Sequence, residues 1–244
     1  MTFAETVISV PIWDSDEQSN WTLSLIDQMC NQNTMRGNFH LVLVDNASPS
    51  LITQQALCKL ADSGPEQVTV LHNEKNEGYG KAANRGIFYG LSMGAEYGIV
   101  LNNDITIQDP DWLENAFISH LRKNPKQLMG ARYIDFNGNA MYDGKHVTPY
   151  LEGWCLAFHR LFVENVGLFD SEIFNWHEDA ELCIRAMKQG YALTQSPAFE
   201  WNGLQPMIRG PIIHAKGQTG FAKLDHQAIA EKSRKHVCKK HFGC

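Results

Sequence analysis

Apolar segments alternate with amphipathic ones along the first hundred residues, and this alternation constrains the fold more than any other feature of the sequence. Four short segments rich in apolar and β-branched residues predict strands, and the three segments between them predict helices. The predicted strands are residues 7–12, 39–44, 68–71 and 97–101, and the predicted helices are residues 21–29, 51–61 and 81–93. Strands that alternate with helices in this way join in parallel through right-handed crossovers. The pattern therefore predicts an α/β protein with a Rossmann-like, mostly parallel, doubly wound sheet.

The second half of the chain is less regular and predicts a smaller, irregular half of the same domain. Its predicted elements are helices at 110–123, 161–166, 179–188 and 224–237, a hairpin at 131–141 around Asn137-Gly138, and a long loop at 203–220. A chain of 244 residues is long enough for one large α/β domain. We therefore interpret 1–244 as a single domain, with a first half at 1–104, a second half at 105–220 and a helical tail at 221–244.

The composition is that of a globular protein, with 43% hydrophobic residues, 20% charged residues and a formal net charge of -6. An acidic balance disfavours binding along a nucleic-acid backbone. Basic residues nevertheless gather near the end of the chain, at Lys232, Arg234, Lys235, Lys239 and Lys240. We interpret them as a solvated helix face, with a patch that meets an anionic acceptor or a membrane surface as the alternative.

The cysteines and the apolar segments indicate the compartment. The six cysteines are scattered and form no C-x-x-C pair, so most are predicted to be small buried hydrophobes in a reducing environment. The tail at 236–244 combines histidine and cysteine, but its spacing matches no common zinc finger, and we predict an ordinary tail. No segment resembles a signal peptide or reaches the roughly 18 apolar residues of a membrane span, so the predicted location is the cytoplasm.

Polar residues follow each of the four predicted strands at the point where the strand ends. Trp13-Asp14 follows the first strand, Asp45-Asn46 the second, a loop from His72 to Gly80 the third, and Asn102-Asn103-Asp104 the fourth. Turns favour such residues, so each motif alone is also typical of an ordinary turn. In an open parallel sheet, however, ligands bind beyond the carboxyl ends of the strands. Four polar strand ends on one edge therefore predict a binding site there.

Three side chains, one in the last of these motifs and two further along the chain, have both a functional and a structural interpretation. Asp104 can bind a hard divalent cation that holds two phosphates, or it can cap a loop. Asp179 stands with Glu178 at the start of a predicted helix, where it can act as a general base or favour the helix dipole. His214 lies in a short apolar run, where it can be a metal ligand or a structural residue. Trp176 and His177 precede the acidic pair and could shape an acceptor pocket.

At this point the sequence resembles family two of the inverting glycosyltransferases, which have the GT-A fold. The resemblance extends from about Val7 to about His214, and the Asp45-Asn46-Ala47-Ser48 motif looks most like the rhamnosyltransferase-type branch. The other matching segments are Asn76-Glu77-Gly78-Tyr79-Gly80 through Asn84-Arg85-Gly86, Leu101-Asn102-Asn103-Asp104, Gly153-Trp154 with Arg160, Val166-Gly167-Leu168-Phe169-Asp170, and Glu178-Asp179-Ala180-Glu181-Leu182 with Arg185 and Gly190-Tyr191. Each motif is weakly specific alone, and their order and spacing are specific together.

The resemblance implies a role for each candidate residue. A nucleotide-sugar donor would be held in the first half by Pro11, Trp13, Asp45, Asn46, Gly78, Asn84, Asn102 and Asn103, with Asp45 at a uracil or thymine ring. Mn²⁺ or Mg²⁺ would be held by Asp104, the last residue of a D-x-D-like motif in which Asn102 replaces the first Asp, together with His214 of the second half, which would be the metal- and acceptor-binding half. Asp179 would be the catalytic base. The acceptor would contact Trp154, Trp176, His177 and Glu178.

The acceptor class stays open at this point. The resemblance allows a carbohydrate, a lipid-linked saccharide or another hydroxyl compound, a peripheral membrane contact, and a modified nucleic-acid base as acceptor. A nucleotide-sugar-binding protein without turnover is one alternative function. An NAD(P)-dependent oxidoreductase is another, because residues 78–83 fit G-x-G-x-x-A, but those glycines follow the third strand rather than the first. A nucleotidyltransferase would need a basic loop after the first strand, and the sequence has none there.

Overall fold

The computed structural model describes residues 4–16, 19–31, 35–134, 148–200, 210–215 and 225–243. Its strands are β1 (Thr6–Ile12), β2 (Phe39–Asp45), β3 (Val68–His72), β4 (Tyr97–Leu101), β5 (Ile105–Ile107), β6 (Gln127–Gly130), β7 (Tyr133–Ile134), β8 (Tyr150–Leu151), β9 (Cys155–His159), β10 (Ala192–Gln195) and β11 (Ile212–His214). Its α-helices are α1 (Ser19–Ile26), α2 (Leu51–Ser63), α3 (Tyr79–Ser92), α4 (Ser119–Lys123), α5 (Arg160–Val166), α6 (Glu178–Lys188) and α7 (His226–Phe242).

Seven of these strands form the central sheet, in the order β10-β6-β9-β4-β1-β2-β3. β1 pairs in parallel with both β2 and β4, and β2 pairs in parallel with β3. β9 runs antiparallel between β4 and β6, and β10 is parallel to β6. This arrangement confirms the predicted mostly parallel α/β sheet. The strand order reverses between β1 and β4, which is where ligands bind in open sheets of this type.

Helices cover both faces of the sheet, which explains why its strands are almost continuously apolar. On one face, Ile8 of β1 belongs to a core cluster with Leu25 of α1 and Leu57 of α2. On the other face, Val7 of the same strand belongs to a second cluster with Ile87 of α3. The alternation of side chains along β1 therefore supplies both cores.

Helix α3 packs against β1 at very short range because two of its residues lack a side chain. A Cβ atom at Gly90 would lie 2.2 Å from the Cβ of Val7, and one at Gly86 would lie 2.2 Å from the hydroxyl of Ser9. That hydroxyl donates a 2.9 Å hydrogen bond to the carbonyl of Ala83 across the same contact. The two glycines thus set the distance between α3 and the central strand.

The predicted helix at 110–123 and the predicted loop at 203–220 are each wrong in part. The first is a π-helix, Leu113–Ile118, that continues into α4, because three consecutive buried residues at 116–118 cover a wider arc than one α-helical face does. The second contains β11, which pairs antiparallel with β5, and residues 203–209 and 216–220 of the predicted loop lie outside the described residues. In the predicted hairpin, β7 pairs antiparallel with β8, and the turn at Asn137-Gly138 lies outside the described residues.

The last helix, α7, extends past its predicted end at residue 237 and docks onto α6. Lys240 Nζ lies 2.6 Å from Asp170 Oδ2 and 2.9 Å from Oε1 of the fully buried Glu181, and His241 Nε2 lies 3.0 Å from the same Glu181 oxygen. Lys240 is therefore part of an ion-pair network rather than of a freely solvated face, since a buried carboxylate needs partners. None of the helices in the described ranges is long and apolar enough to cross a bilayer.

The cysteines depart from the prediction at two described positions, the exposed Cys58 and Cys238. Cys30, Cys58, Cys155 and Cys183 are free thiols, and burial raises the pKa of Cys30 to about 11. Burial also raises the pKa of Cys155 and Cys183, so these thiols are packing residues rather than nucleophiles. Cys238 in α7, however, is disulfide-bonded.

The close approach of α3 to β1 predicts a large effect of a single methyl group. Gly90→Ala should lower the free energy of unfolding by about 1–3 kcal/mol, because the added Cβ overlaps Val7. Lys81→Ala, at an exposed position of the same helix, should change it by less than about 0.5 kcal/mol. Urea unfolding followed by circular dichroism measures both. Equal stability of the two variants would contradict this account of the helix contact.

Candidate functional site

A cavity of about 410 Å³ opens at the carboxyl ends of β1, β2 and β4, on the edge of the sheet that the sequence predicts. Its lining brings together most of the predicted site residues, namely Pro11, Trp13, Asn46, Gly78, Asn102, Asn103, Trp154, Trp176, His177, Glu178, Asp179 and His214. Asp45, Asn84 and Asp104 are not part of the lining. The site therefore combines residues from both halves of the chain.

The carboxylate of Asp14 joins the ends of the strands beneath the cavity. Its Oδ1 accepts a 3.0 Å hydrogen bond from Asn103, and its Oδ2 accepts a 3.1 Å hydrogen bond from Thr53. Asn103 also donates to the hydroxyl of Thr22 at 2.8 Å. Burial raises the pKa of Asp14, and the hydrogen bonds from Thr22, Thr53 and Asn103 oppose that shift. The sequence did not single out Asp14, whose role depends on contacts far along the chain.

Asn46 organises the loop that follows β3. Its Nδ2 donates to the side chain of Asn76 at 2.9 Å and to the carbonyl of Gly78 at 3.2 Å. Its Oδ1 accepts from Asn73 at 2.8 Å and from the backbone of Glu77 at 3.0 Å. The side chain is thus bonded on both of its polar atoms and fixes the wall of the cavity that it lines.

Asp45 lies just behind this wall, with 5% of its surface exposed. Its Oδ1 accepts a 2.9 Å hydrogen bond from the backbone of Ser48, and its Oδ2 lies 3.2 Å from Nδ1 of His72. Both carboxylate oxygens therefore have protein partners. Asp45 braces the loops after β2 and β3 in this structure.

Gly78 allows the loop at 174–177 to approach the start of α3. Its φ angle is +89°, and a Cβ atom there would lie 2.1 Å from the carbonyl oxygen of Phe174. The backbone of Tyr79 donates to that same carbonyl at 3.0 Å, and the Tyr79 hydroxyl donates to the carbonyl of Gly153 at 2.8 Å. The glycine thus accommodates another protein segment and not a dinucleotide phosphate, which argues against the oxidoreductase alternative.

Asn84, further along α3, joins that helix to the backbone of Phe169. Its Nδ2 donates to the carbonyl of Phe169 at 2.8 Å, and its Oδ1 accepts from the backbone of Phe169 at 3.0 Å. Both polar atoms are therefore engaged with one backbone position on the far side of the helix.

Asp104 and His214 meet because β11 pairs with β5, in a register that places His214 opposite Ile105. Nε2 of His214 lies 3.1 Å from Oδ1 of Asp104 and 3.2 Å from Nδ2 of Asn102. The side chain of Asp104 is fully buried. The cluster therefore combines a buried carboxylate, an imidazole nitrogen and an amide at the rim of the cavity.

The geometry of this cluster fits a divalent cation. Ligand atoms about 2.1 Å from one metal lie about 3 Å apart when they take adjacent octahedral positions. The 3.1 Å between Asp104 and His214 matches that separation. Within the described ranges no third carboxylate, histidine or cysteine completes the group, so remaining ligands would come from a bound molecule or from water.

The acidic pair Glu178-Asp179 lines the same cavity as His214 and begins α6. Trp176 and His177 precede it with φ angles of +67° and +64°, a left-handed conformation that is rare for such residues and marks functional loops. Oδ1 of Asp179 accepts a 2.7 Å hydrogen bond from the backbone of Ala180. Its Oδ2 accepts one of 3.0 Å from the backbone of Gly153.

Burial raises the pKa of both carboxyl groups of the pair. For Glu178 the proximity of Asp179 raises it further, and no residue in the described part of the chain hydrogen-bonds to its buried Oε2. For Asp179 the N–H groups of Ala180 and Gly153 oppose the effect of burial, because they stabilise the anion. Asp179 is therefore the first of the two to ionise, with a pKa above that of an ordinary carboxylate.

Several residues that line the same cavity were given no role in the site from the sequence, although some of them belong to the matching motifs. They are Ile12, Asn76, Tyr79, Glu152, Gly153, Phe174 and Asn175. Asn76 and Tyr79 belong to a loop that the sequence marks as polar, and Asn175 directly precedes Trp176, so proximity along the chain was an available signal. Glu152 directly precedes the predicted Gly153-Trp154 motif, so it carried the same signal, but its closeness to Asp179 was not available from the sequence.

Comparison with known proteins gives one family. The family model described as "Glycosyl transferase family 2" matches residues 9–174 of the chain. The chain is 30% identical over 178 residues to the dTDP-rhamnosyl transferase RfbF of Shigella flexneri, an alignment that covers 63% of this chain and 55% of that protein. It is also 24% identical over 206 residues to the uncharacterized protein y4gI of Sinorhizobium fredii, which covers 72% of this chain and 22% of that protein. The chain thus spans about half of the first relative's length.

Solved structures with the same fold are glycosyltransferases. The mannosyltransferase PcManGT from Pyrobaculum calidifontis, in complex with GDP-Man and Mn²⁺, matches with a TM-score of 0.59 and 19% identity over 80% of this chain and 55% of that one. S. aureus TarS 1-349 in complex with UDP matches with a TM-score of 0.56 and 15% identity, covering 79% of this chain and 58% of that one. At these identities the likeness concerns the fold, and it confirms the expected GT-A architecture.

Asn46 and Asn84 each hold a neighbouring backbone segment through both polar atoms of the side chain, but only Asn46 lines the cavity. We therefore predict different effects when each is changed to aspartate. Asn84→Asp should lower the free energy of unfolding by about 1–3 kcal/mol, because a carboxylate cannot donate to the carbonyl of Phe169. It should leave the affinity for UDP within about threefold, since Asn84 does not line the cavity. Asn46→Asp is the matched change at a residue that lines the cavity, and it should lower both the free energy of unfolding and the affinity for UDP. Urea unfolding and calorimetric titration with UDP measure the effects, and loss of UDP binding in Asn84→Asp at unchanged stability would restore a nucleotide role for Asn84.

Proposed function

The chain belongs to glycosyl transferase family 2 and is a glycosyltransferase, and from that membership we propose its reaction. The proposed reaction moves a sugar from a UDP- or dTDP-type nucleoside diphosphate sugar to an acceptor hydroxyl, with inversion and with a divalent metal ion. One observation carries this proposal: Asp179, with a raised pKa, lines the same cavity as His214, whose Nε2 lies 3.1 Å from the buried Asp104 in a geometry that fits a cation. A general base and a cation site at one cavity suit the transfer of a group between two substrates that are bound there together.

The donor nucleotide is proposed to lie over the ends of β1 and β2, against Pro11, Trp13, Asn46 and Gly78. Trp13 offers an indole for stacking on the base, and Asp45 holds the wall behind it. The name of the relative that is 30% identical, a dTDP-rhamnosyl transferase, supports a pyrimidine nucleotide. Asn102 and Asn103 would lie below the diphosphate.

Asp104 and His214 are the residues that would hold the cation, with Asn102 beside them. Mn²⁺ or Mg²⁺ bound there would supply positive charge next to the departing diphosphate. Mn²⁺ accompanies the nucleotide sugar in the mannosyltransferase structure, which supports a divalent metal in this role. Since Asp104 is the only carboxylate of its motif, the donor's phosphates are proposed to complete the shell.

Asp179 is proposed to remove the proton from the acceptor hydroxyl. The acceptor oxygen forms a bond to the anomeric carbon of the donor as the bond from that carbon to the diphosphate oxygen breaks. The proton passes to the Asp179 carboxylate, and the electron pair of the broken bond leaves with the nucleoside diphosphate. Attack from the face opposite the leaving group inverts the anomeric centre.

The acceptor is proposed to lie on the side of the cavity lined by Trp154, Trp176, His177 and Glu178. Trp176 keeps 37% of its surface exposed at the rim, where an indole can pack against a sugar ring. Glu178 ionises after Asp179 and can donate a hydrogen bond to a hydroxyl while it is protonated. We propose a carbohydrate or a lipid-linked saccharide as the acceptor, because an indole and hydrogen-bonding groups suit a sugar. A modified nucleic-acid base is the alternative acceptor, and a lipid-linked acceptor would bring the protein into peripheral contact with a membrane.

Separating donor binding from turnover tests the proposal. Asp179→Asn should keep the thermal stabilisation that UDP- or dTDP-sugars with Mn²⁺ give to the native enzyme, because the amide preserves the shape of the cavity wall. It should lower donor turnover, measured as released nucleoside diphosphate, by about 100-fold or more, since the base is lost. Near-native turnover of this variant would contradict the role of Asp179.

The same measurements separate the competing functions. NAD(H) serves as the negative control in the thermal-shift screen, and stabilisation by NAD(H) rather than by a nucleotide sugar would contradict the proposal. Asp62→Asn changes an exposed carboxylate of α2 and should retain native turnover.

The proximity of Glu152 to Asp179 predicts a shift in the pH profile of kcat/KM. The base must be ionised, so activity should rise with pH through the pKa of Asp179, which burial places above the ordinary carboxylate range. The negative charge of Glu152 contributes to that raised value. Glu152→Gln removes the charge, makes the Asp179 anion less unfavourable, and should move the acidic limb to lower pH. An acidic limb that stays in place or moves to higher pH would contradict the assignment.

A further inference from the structure

The segment Glu152-Gly153-Trp154, which leads into β9, contacts both walls of the cavity. The backbone N–H of Gly153 donates to Asp179, and the backbone carbonyl of Trp154 accepts a 2.8 Å hydrogen bond from the N–H of Asn102. The indole of Trp154 stacks on the imidazole of His214, with ring centroids 4.7 Å apart and planes inclined by 6°. One short segment thus touches the proposed base, the strand-end motif and the proposed metal ligand.

The indole of Trp154 is held in place by Glu152 and Phe199 as well as by its contact with His214. Its Nε1 donates a 3.2 Å hydrogen bond to Oε2 of Glu152, whose other oxygen accepts one of 2.7 Å from Arg132. Phe199 packs edge-on at a centroid distance of 6.1 Å. Only 5% of the surface of Trp154 is exposed, so the ring has little freedom to turn. A fixed aromatic plate of this kind constrains whatever stacks on it.

His214 needs such a constraint because its strand is short. Backbone pairing of β11 with β5 fixes the Cα of His214 opposite Ile105 but leaves the side-chain torsions free. The parallel stack fixes the plane of the imidazole and keeps Nε2 3.1 Å from Oδ1 of Asp104. Groups that orient a metal ligand without touching the metal commonly change its affinity by about 10–100-fold.

We propose that Trp154 is a positioning residue that holds the imidazole of His214 in the orientation that binds the cation. This inference rests on the metal site of the proposed function, and it gives the indole a role besides lining the acceptor side. Glu152 and Arg132 act through it, by fixing the angle of the indole.

The test measures Mn²⁺ affinity directly, by the loss of the free-ion signal in electron paramagnetic resonance, with UDP at saturation. Trp154→Leu should weaken Mn²⁺ binding about tenfold, because the imidazole loses its stacking surface. Trp154→Phe keeps an aromatic face and should stay within about threefold of the native affinity. Trp176→Leu removes a different indole from the same cavity. In the described part of the chain, that indole contacts the ring of His226 rather than that of His214, so the variant should leave the Mn²⁺ affinity unchanged.

A double-mutant cycle distinguishes positioning from general loss of packing. His214→Ala should weaken Mn²⁺ binding, and adding Trp154→Leu to it should have little further effect, since the ring on which Trp154 acts is gone. Melting temperatures of all variants, measured without metal, identify any that fail to fold, in which case Trp154→Phe and Trp154→His carry the comparison.

The outcomes separate the inference from the function beneath it. If His214→Ala and Asp104→Asn weaken Mn²⁺ binding while Trp154→Leu does not, the positioning role is wrong and the metal site stands. If Trp154→Leu costs the same affinity with and without His214, the role is also wrong, because the indole then acts elsewhere. If the native protein binds no Mn²⁺ with UDP present, the metal site fails and the inference fails with it.

Discussion

The hydrogen bonds of the buried Asp14 carboxylate hold together the strand ends on which the rest of the site depends. Asp14 follows β1, and its oxygens bind Asn103 after β4 and Thr53 in α2. A carboxylate without partners would be costly in this position, so the segments that follow β1 and β4 must meet the first turn of α2 there. Because β1 is the central strand of the parallel part of the sheet, this network sets the floor of the cavity for everything bound above it.

Two later segments then close the cavity, and each is anchored by backbone contacts. The loop that carries Trp176 and His177 is admitted by Gly78, whose missing side chain makes room for Phe174. β11 reaches its place by pairing with β5, and this pairing brings the backbone of His214 close to Asp104. The chemistry proposed for the site is therefore divided between a rigid sheet edge and two additions from the second half of the chain. Stable positions for groups from such distant segments require the interlocking contacts around residues 152–154.

Four of the seven strands of the sheet, β1 to β4, were predictable from the sequence because short apolar runs mark them. The remaining strands, β6, β9 and β10, were not predicted. The predicted strand at 97–101 agrees with β4 as it stands, and the other three differ from β1, β2 and β3 by one residue at an end. β11 was not predictable, since its three residues lie among glycines and prolines and owe their conformation to β5. The π-helical turn at Leu113–Ile118 was equally hidden, because it arises from packing on the core rather than from local preference.

The sequence predicted which residues gather at the candidate site better than it predicted the contacts that their side chains make. Polar residues at strand ends indicated the correct edge of the sheet, and most of them do line the cavity. The direction in which an individual side chain points was not available from the pattern. Asp45 and Asn84 carry the right chemistry for a nucleotide, yet their polar atoms bind the protein's own backbone or side chains. Glu152 was missed because its effect on Asp179, which is distant along the sequence, arises only in the folded chain.

The central claim is that Asp104 and His214 hold the cation next to the diphosphate of the donor. Anomalous scattering at the manganese edge, from crystals grown with UDP and Mn²⁺, tests it most directly. The account predicts a manganese peak about 2.0–2.3 Å from both a carboxylate oxygen of Asp104 and Nε2 of His214, with the diphosphate in contact with it. A manganese peak elsewhere in the cavity, or UDP bound there with no peak between these two residues, would contradict the account.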